Sequence, residues 1–566
     1  MVSNNIQGPI PLIGRGLVHK PKGNYGSGEF SICQNVELVD DQIVTRRPMQ
    51  AVLNSPEVSA FPNPYGIVGR HVGDLPFRED ILFSSGDDVH QTLKLTSGKF
   101  DGFGYSSTSS TLGSAGIDAR RVVGYFTYNN DDYAIVHVFD SGGSPYIQIR
   151  KNAGLTGTDV LVTVVTSGTI MFKSFFIYKE RLWIVTNEGI YFSKATDPMT
   201  WTVPDGGFIR YADASTYSAV PSGDNIYIGT DLSLFVMTYT TDPNTDAYSR
   251  MVSSSGVTDL LSFESTVFGL DKNQFMEVSV NGIARIFELS DVYDVIPEYL
   301  VLRRSADNVL FINQPREGIG GPIGGDPNPY SFIPSMLTDE VMCFNIVNQF
   351  TSKWTFSGMD SMYDDFVIVD AYYMENMGRT VFLGYSISQG TGFLWYMLDD
   401  TKLDTNDVSE YDPSSFRGLD HSYGDGTDFF AFINVDLEIP SYVPDGSEYR
   451  NKKFRSLLFE GTLPPDLFEC IFMFDNSDLE VSVPLSEISP VDLPNDRPPH
   501  PYRIGINQRA REISIRFKTD HSSIPNPFVY VETSQYFFTI RDARLLWTYI
   551  GGAVGTKGFS GDIVAP

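Results

Sequence analysis

Residues 182–192 read LWIVTNEGIYF, two short apolar runs on either side of Asn187-Glu188-Gly189. Asn and Gly tolerate the positive φ angles that tight hairpin turns need. The stretch therefore predicts an antiparallel hairpin with one strand on each side of the turn. Residues 267–278, VFGLDKNQFMEV, repeat the scheme around Asp271-Lys272-Asn273.

Short apolar runs of this kind recur along the chain, most of them roughly 40 to 55 residues apart, which is the size of a β-propeller blade. They begin at Ile81, Tyr133, Leu182, Ile226, Val267, Val309 and Val381. A ring of hairpins buries apolar faces that a single hairpin leaves exposed. Stacked β-sandwiches without radial symmetry are the alternative, because the repeats carry no WD or kelch signature.

The composition also favours an all-β chain. Of the 566 residues, 13% are aromatic, a class enriched on pleated, half-buried surfaces, and 50 Gly and 33 Pro punctuate the sequence. Beyond residue 428, apolar and polar residues alternate in runs such as 435–439 and 512–517, as in strands with one face in water. The predicted fold is a β-propeller followed by a C-terminal antiparallel β-sandwich-like domain, with extended terminal arms.

The chain is expected to divide into five segments. They are residues 1–55 as an N-terminal arm and attachment segment, 56–400 as the β-propeller, 401–428 as an acidic linker, 429–552 as the C-terminal β domain and 553–566 as a C-terminal arm. The Gly/Pro-rich stretch 315–334 falls in the longest interval between the apolar runs and predicts an inserted loop.

The charge balance limits the possible partners. The chain has 41 Lys+Arg against 70 Asp+Glu, a formal net charge of −29. A surface that holds nucleic acid needs a basic footprint, so the balance argues against one. It is compatible with a surface past which DNA slides without sticking, but on charge alone ordinary solubility is the favoured explanation.

The three cysteines, Cys33, Cys343 and Cys470, lie far apart and form neither a disulfide framework nor a zinc spacing, so we expect buried free thiols. No run approaches the ~18 apolar residues of a membrane span. Residues 1–21 lack the apolar centre of a signal peptide. We therefore expect no membrane span.

Motifs for catalysis or cofactor binding are absent from the sequence. No Gly-x-Ser-x-Gly elbow occurs, and the glycine-rich run 318–325 lacks the Lys of a phosphate-binding loop. His137 lies in an apolar strand and is expected in the core. Residues 193–201 approach the Asp-box turn of sialidase-type propellers, but the Asp is displaced and the Gly is missing, which predicts a structural turn with Trp201 packed beneath it. No catalytic, cofactor or metal residue is expected.

Residues 176–201, FIYKERLWIVTNEGIYFSKATDPMTW, resemble the propeller segment of tail hub and nozzle proteins of short-tailed bacteriophages. In that family an Arg-Leu pair opens a strand, the hairpin ends in an aromatic residue and Ser, and an Asp-Pro turn leads to an aromatic residue. Arg181-Leu182, Phe192-Ser193 and Asp197-Pro198 match these points. The stretch from Cys33 to Pro48 is similar to the opening of the family, before its first blade.

The resemblance implies a structural virion protein and no enzyme. It implies a ring, with six copies as the expected number, that prolongs the DNA channel of the tail and takes part in DNA retention and ejection. The expected partners are further copies of the chain, tail adaptor or portal-proximal ring proteins, and tail fibres or spikes, with double-stranded DNA passing unbound. Assembly would take place in the host cytoplasm, and the terminal arms would contact neighbouring subunits.

The inserted loop is the candidate gate or contact loop of this ring. Its residues are Gly318, Gly320, Gly321, Gly324, Gly325, Asp326 and Tyr330. Two other functions stay open: a propeller glycoside hydrolase or depolymerase, which needs a carboxylate pair, and a receptor-binding tail module with aromatic sugar platforms. A hub should assemble into a large ring, whereas an enzyme should act alone in solution.

Overall fold

The structure is a computed structural model in which nearly all regular structure is β-strand, so the predicted all-β class is confirmed. The described part of the chain has one short α-helix, Pro243–Asp246, and one 3-10 helix, Leu289–Asp291. The described residues are 6–12, 14–20, 25, 28–47, 49–51, 64–69, 80–85, 89–94, 110–111, 119–129, 131–139, 145–151, 160–166, 170–211, 214–297, 299–313, 318–319, 330–331, 340–356, 366–375, 378–386, 391–397, 419–424, 427–444, 451–463, 468–475, 480–484, 489–490, 500–519 and 538–550.

Short strands occupy much of the first 51 residues. They are β1 (Ile6–Pro9), β2 (Gly16–Leu17), β3 (Glu29–Phe30), β4 (Ile32–Gln34), β5 (Val36–Val39), β6 (Gln42–Thr45) and β7 (Met49–Ala51). Each of them pairs with another strand of this segment or with a strand from a later part of the chain.

Five four-stranded antiparallel sheets follow, and in each of them every strand pairs with the next one in sequence. The first contains β8 (Pro64–Gly69), β9 (Asp80–Ser85), β10 (Val89–Lys94) and β11 (Ser110–Thr111). The second contains β12 (Ala119–Tyr128), β13 (Asp131–Phe139), β14 (Pro145–Lys151) and β15 (Val160–Thr166). The third contains β16 (Phe172–Tyr178), β17 (Arg181–Thr186), β18 (Gly189–Phe192) and β19 (Gly207–Ile209). The fourth contains β20 (Thr216–Ser222), β21 (Asn225–Thr230), β22 (Leu234–Thr238) and β23 (Tyr248–Ser253), and the fifth contains β24 (Asp259–Phe263), β25 (Thr266–Leu270), β26 (Gln274–Ser279) and β27 (Gly282–Glu288).

The sixth and seventh units continue the pattern but extend into larger sheets. The sixth contains β28 (Leu300–Ser305), β29 (Asn308–Asn313), β32 (Glu340–Asn345) and β33 (Phe350–Thr355), with the small hairpin β30 (Gly318–Ile319) and β31 (Tyr330–Ser331) inserted between β29 and β32. The seventh contains β34 (Phe366–Met374), β35 (Arg379–Ser386) and β36 (Thr391–Met397), and its fourth strand is β7 from the N-terminal segment. A further hairpin, β37 (Leu419–Gly424) and β38 (Thr427–Phe432), continues this sheet beyond β7.

The apolar runs singled out in the sequence all lie in the second strands of these seven units, namely β9, β13, β17, β21, β25, β29 and β35. Both quoted hairpins are confirmed: β17 pairs with β18, and β25 pairs with β26. All six residues of β17 are buried, as are all six of β29. In β17 and β29 the repeat in the sequence therefore marks a strand that is packed on both faces.

The first strands of the seven units contact one another in chain order. Contacts join β8 to β12, then β16, β20, β24, β28 and β34, and β34 contacts β8 in turn. No sheet of the described residues closes on itself, so no continuous hydrogen-bond ladder joins the first strands in the described part of the chain.

The C-terminal part forms two further layers. Its strands are β39 (Asp436–Tyr442), β40 (Lys452–Thr462), β41 (Phe468–Phe474), β42 (Glu480–Pro484), β43 (Ser489–Pro490), β44 (His500–Ala510), β45 (Ile513–Thr519) and β46 (Thr539–Tyr549). One sheet has the order β43-β44-β40-β46-β6-β5, and β1 also pairs with β46, along the same edge as β6. The other runs β39-β45-β41-β42 and is joined through β4 to β33. Side chains of both layers, such as Phe459 and Phe517, pack in one core.

The N-terminal segment differs from the predicted arm. Its strands β1, β5 and β6 belong to the C-terminal sheet, and Ile10 and Leu12 are buried in the core. Burial of these two side chains and the ladder between β1 and β46 attach residues 6–12 to their own chain. The predicted acidic linker, residues 401–428, contains strand β37 and the start of β38. The predicted arm 553–566 lies outside the described residues.

Candidate functional site

The turn between β4 and β5 lies where the seven-unit part and the C-terminal sheets meet. Asn35 adopts a left-handed backbone conformation there, with φ at 57°. Its side-chain oxygen accepts a hydrogen bond from the backbone N–H of Thr355 at 2.8 Å, and its amide donates to the Thr355 hydroxyl at 2.9 Å and to the carbonyl of Asn434 at 2.7 Å. One side chain thus links the N-terminal segment, β33 of the sixth unit and the strand leading into β39.

Arg46 completes this junction from the end of β6. It is 1% exposed, and its Nε donates to the Asn35 side-chain oxygen at 3.2 Å. One terminal nitrogen donates to the carbonyl of Thr355 at 3.2 Å, and the guanidinium lies 5.0 Å from the ring centroid of Phe356. A buried charge is tolerated only when its donors are satisfied, so this arginine has a fixed orientation. We call Asn35, Arg46 and Thr355 the junction.

Polar groups also join the first strands of neighbouring units. The carboxylate of Asp259 in β24 accepts hydrogen bonds from the backbone N–H of Leu302 in β28 at 2.8 Å and from that of Leu260 at 2.9 Å. The hydroxyl of Ser218 in β20 accepts from the same Leu260 N–H at 3.2 Å. Burial raises the pKa of Asp259, while Arg303 and these hydrogen bonds act in the opposite direction.

Two arginines of β28 extend this linkage to the seventh unit. Arg303 donates to the carboxylate of Asp370 in β34 at 2.7 Å. Arg304 lies between two rings, 4.4 Å from the centroid of Phe263 in the fifth unit and 4.8 Å from that of Tyr373 in the seventh. Cation–π contacts of this kind are worth about 0.5–2 kcal/mol each. Three successive units are therefore held by charged side chains in addition to apolar packing.

The Asp-box-like segment forms the structural turn that the sequence predicted. The carboxylate of Asp197 accepts hydrogen bonds from the Met199 backbone N–H at 2.9 Å and from the Thr200 hydroxyl at 2.6 Å. The indole of Trp201 donates to the carbonyl of Pro198 at 2.8 Å and packs against the core between the second and third units.

The described residues of the candidate gate loop are the two ends of the inserted hairpin. Gly318 pairs with Ser331, and Ile319 pairs with Tyr330. The remaining candidates, Gly320, Gly321, Gly324, Gly325 and Asp326, lie outside the described residues. The hairpin departs from the sixth unit between its second and third strands. Its role as a gate or contact loop stays a prediction.

The cysteine and histidine expectations are confirmed. Cys33, Cys343 and Cys470 are free and buried, and burial raises the pKa of each thiol. His137 is fully buried in β13, with its Nε2 3.3 Å from the carbonyl oxygen of Ile170.

Metal-binding clusters and membrane-spanning helices are both lacking in the described ranges. No three or more His, Cys, Asp or Glu side chains within those ranges form a group that could hold a metal ion. Neither of the helices found there is long and apolar enough to cross a membrane.

Sequence reasoning missed most of the polar contacts between units. Arg303 and Arg304 interrupt the apolar run of β28, and Asp370 interrupts that of β34. Adjacent charges inside apolar strands are a signal that could have identified them, because such charges require partners. Asn35 and Arg46 lay within the stretch similar to the phage family, but their pairing across 11 residues, and with Thr355, is not visible in the sequence.

The comparisons with known proteins place the chain in no family. No protein-family model and no curated protein matches the sequence. Among solved structures, Hsv2 of Kluyveromyces lactis is 8% identical, with a TM-score of 0.31 over 60% of this chain and 98% of that one. Chaetomium thermophilum Sqt1, bound to the N-terminus of a ribosomal protein, is 10% identical, with a TM-score of 0.33 over 59% of this chain and 97% of that one. The extracellular domain of a putative one-component system from B. thetaiotaomicron is 8% identical, with a TM-score of 0.39 over 87% of this chain and 59% of that one. Likenesses at this level establish neither the function nor the arrangement of the sheets.

Proposed function

We propose that this chain is a structural subunit of a bacteriophage tail, one copy in a ring around the path of the DNA. In this proposal the seven units form a seven-bladed β-propeller, closed by β7 as the fourth strand of the last blade. The contacts of the first strands in chain order, with β34 returning to β8, support this arrangement. Such closure protects sheet edges by radial repetition.

The junction is the observation that carries the structural role. Domains joined by a single linker are expected to move relative to one another. Here the sixth unit continues through β4 into the C-terminal sheet, and Asn35 and Arg46 fix the crossing point with buried hydrogen bonds. The seven units and the C-terminal sheets, connected in this way, move as one rigid unit. Such rigidity suits a structural subunit around the path of the DNA.

The charge supports the same role. A net charge of −29 gives the surface a field that repels phosphates, and the repulsion acts over about 8 Å at physiological ionic strength. DNA can then pass such a wall without binding to it. No bond is made or broken by the chain in this proposal.

The proposed partners follow from the family resemblance. They are further copies of the chain, with six as the expected number, the adaptor or portal-proximal ring on one side and fibres or spikes on the other. The hairpin of β30 and β31 is the proposed gate or contact element. The proposed location is the tail of the virion, after assembly in the host cytoplasm.

Negative-stain electron microscopy of the purified chain, alone and mixed with its adaptor, tests the proposal. We expect rings with an open centre, and labelling of the tail when purified virions are treated with an antibody against the chain. A protein that stays monomeric at every concentration, with and without adaptor, and is missing from virions would overturn the proposal.

A further inference from the structure

The seven units differ in whether a further strand pairs with their outer edge. In the sixth unit, β4 lies beside the outer strand β33, and in the seventh, β37 lies beside β7. The first five units instead end at their own fourth strands, and among the described residues no strand pairs with the outer side of β23 in the fourth unit. Open strand edges are sites for pairing with another chain, so proteins usually cover or blunt them.

Strand β23 has the surface of a contact edge. Its first four residues, Tyr248 to Met251, are all exposed, with Tyr248 at 66% and Met251 at 55%. Tyr248 and Arg250 lie on one face of the strand, because side chains alternate. Met251 lies on the other face, opposite Phe235 of β22.

Among the described residues, Arg250 has no acidic partner. Its guanidinium donates to the carbonyl of Val280, and among the described residues no carboxylate forms an ion pair with it. The β23 edge therefore offers a positive charge on one face and an apolar side chain on the other.

A second open edge has a charge opposite to that of the β23 edge. Strand β42 ends the sheet formed by β39, β45 and β41, and no described strand pairs with its outer side. Glu480 and Ser482 are exposed on one face, whereas Val481 and Val483 on the other face are half-buried against the C-terminal core. This edge offers a negative charge on one face and apolar side chains on the other.

We propose that β23 of one copy pairs with β42 of a second copy, which places Arg250 near Glu480 and Met251 near Val481 and Val483. The inference rests on the proposed ring and names its contact surface. Strand addition supplies backbone hydrogen bonds, and cross-strand pairs supply the specificity. Because two different edges meet, the contact is head-to-tail, and repetition of a head-to-tail contact generates a ring when the rotation closes.

The two strands also match in length, with six residues in β23 and five in β42. The chain already uses strand addition at outer edges elsewhere, because β33 and β7 are both extended by strands distant in sequence. The proposed contact is the same kind of strand addition, formed between two copies and not within one.

Charge reversal tests the contact. We expect Arg250→Glu and Glu480→Arg each to raise the dissociation constant of assembly about tenfold or more, because close interfacial charge pairs couple strongly. The double variant, in which the two charges are exchanged, should recover most of the loss. Arg509→Glu, an exposed position on β44, is the matched control and should assemble like the unmodified chain. Sedimentation velocity measures the constants, and single variants that assemble normally would overturn the inference.

Thiol cross-linking gives a second readout that does not depend on ring closure. The native cysteines are all buried, so Arg250→Cys and Glu480→Cys introduce accessible thiols. With oxidised glutathione as the oxidant, we expect disulfide-linked dimers in a mixture of the two proteins and not in either protein alone. Dimers without rings would support this contact and count against the ring, whereas rings without dimers would reject this contact and leave the ring in place.

Discussion

Truncation of Arg46 tests whether the junction holds the seven units and the C-terminal sheets together. Arg46→Ala removes the donors to the Asn35 side chain, to the carbonyl of Thr355 and to the carbonyl of Arg47, as well as the contact with Phe356. A buried acceptor left without its donor costs about 1–3 kcal/mol. Three such acceptors and the contact with Phe356 are affected together, and the other contacts of these acceptors partly compensate, so we expect a loss of about 3–5 kcal/mol in the free energy of unfolding.

Urea unfolding followed by tryptophan fluorescence measures this loss, because Trp354 is fully buried next to Thr355 in β33. Arg541→Ala is the matched control. Arg541 pairs with Glu460 at 3.0 Å, but both side chains are 40% exposed, so its removal should cost about 1 kcal/mol or less. Equal urea midpoints for the two variants would refute the reasoning about the junction.

Three further predictions concern other parts of the fold. Gly16→Ala should lower stability by about 2 kcal/mol or more in the same assay, because a Cβ would lie 2.1 Å from the Thr351 carbonyl oxygen and φ is +78°; unchanged stability would contradict that close approach. The folded-state pKa of Asp259 is raised above its ordinary value of 3.8, so its contribution to stability is fully present below that pH and is lost as the pH rises through the folded pKa. Relative to the wild type, Asp259→Asn should therefore gain stability as the pH rises above 3.8, and a pH-independent difference in urea midpoint would reject this. A thiol reagent should modify no cysteine of the native chain and all three after denaturation, since each is buried; rapid modification of the native chain would show that a thiol is accessible.

The local elements were predictable because their signals lie within a few residues. The turn Asn187-Glu188-Gly189 determined one hairpin, and the apolar runs marked the second strand of every unit. The inserted loop was predictable for the same reason, since residues 315–334 interrupt the spacing.

The N-terminal segment was not predictable from such signals. Short strands such as β1 and β4 carry little periodicity of their own, and their partners lie hundreds of residues away in β46 and β33. Its Pro and Gly residues favoured an extended arm, whereas Ile10 and Leu12 are buried in the core and its strands pair with distant parts of the chain. The junction was missed for the same reason, because Asn35 and Thr355 meet only in the folded chain.

The pairing of β6 and β1 with β46 also determines when the N-terminal strands can fold during translation. Strands β1 and β6 leave the ribosome early, but the partner of β6, Thr539–Ile540, is made almost at the end of the chain. At about 5–20 residues per second, the N-terminal strands wait roughly 25 to 100 seconds before this sheet can form. Apolar residues such as Ile43 lack their partners in β46 throughout that interval, so we expect chaperones to bind the N-terminal strands early in translation.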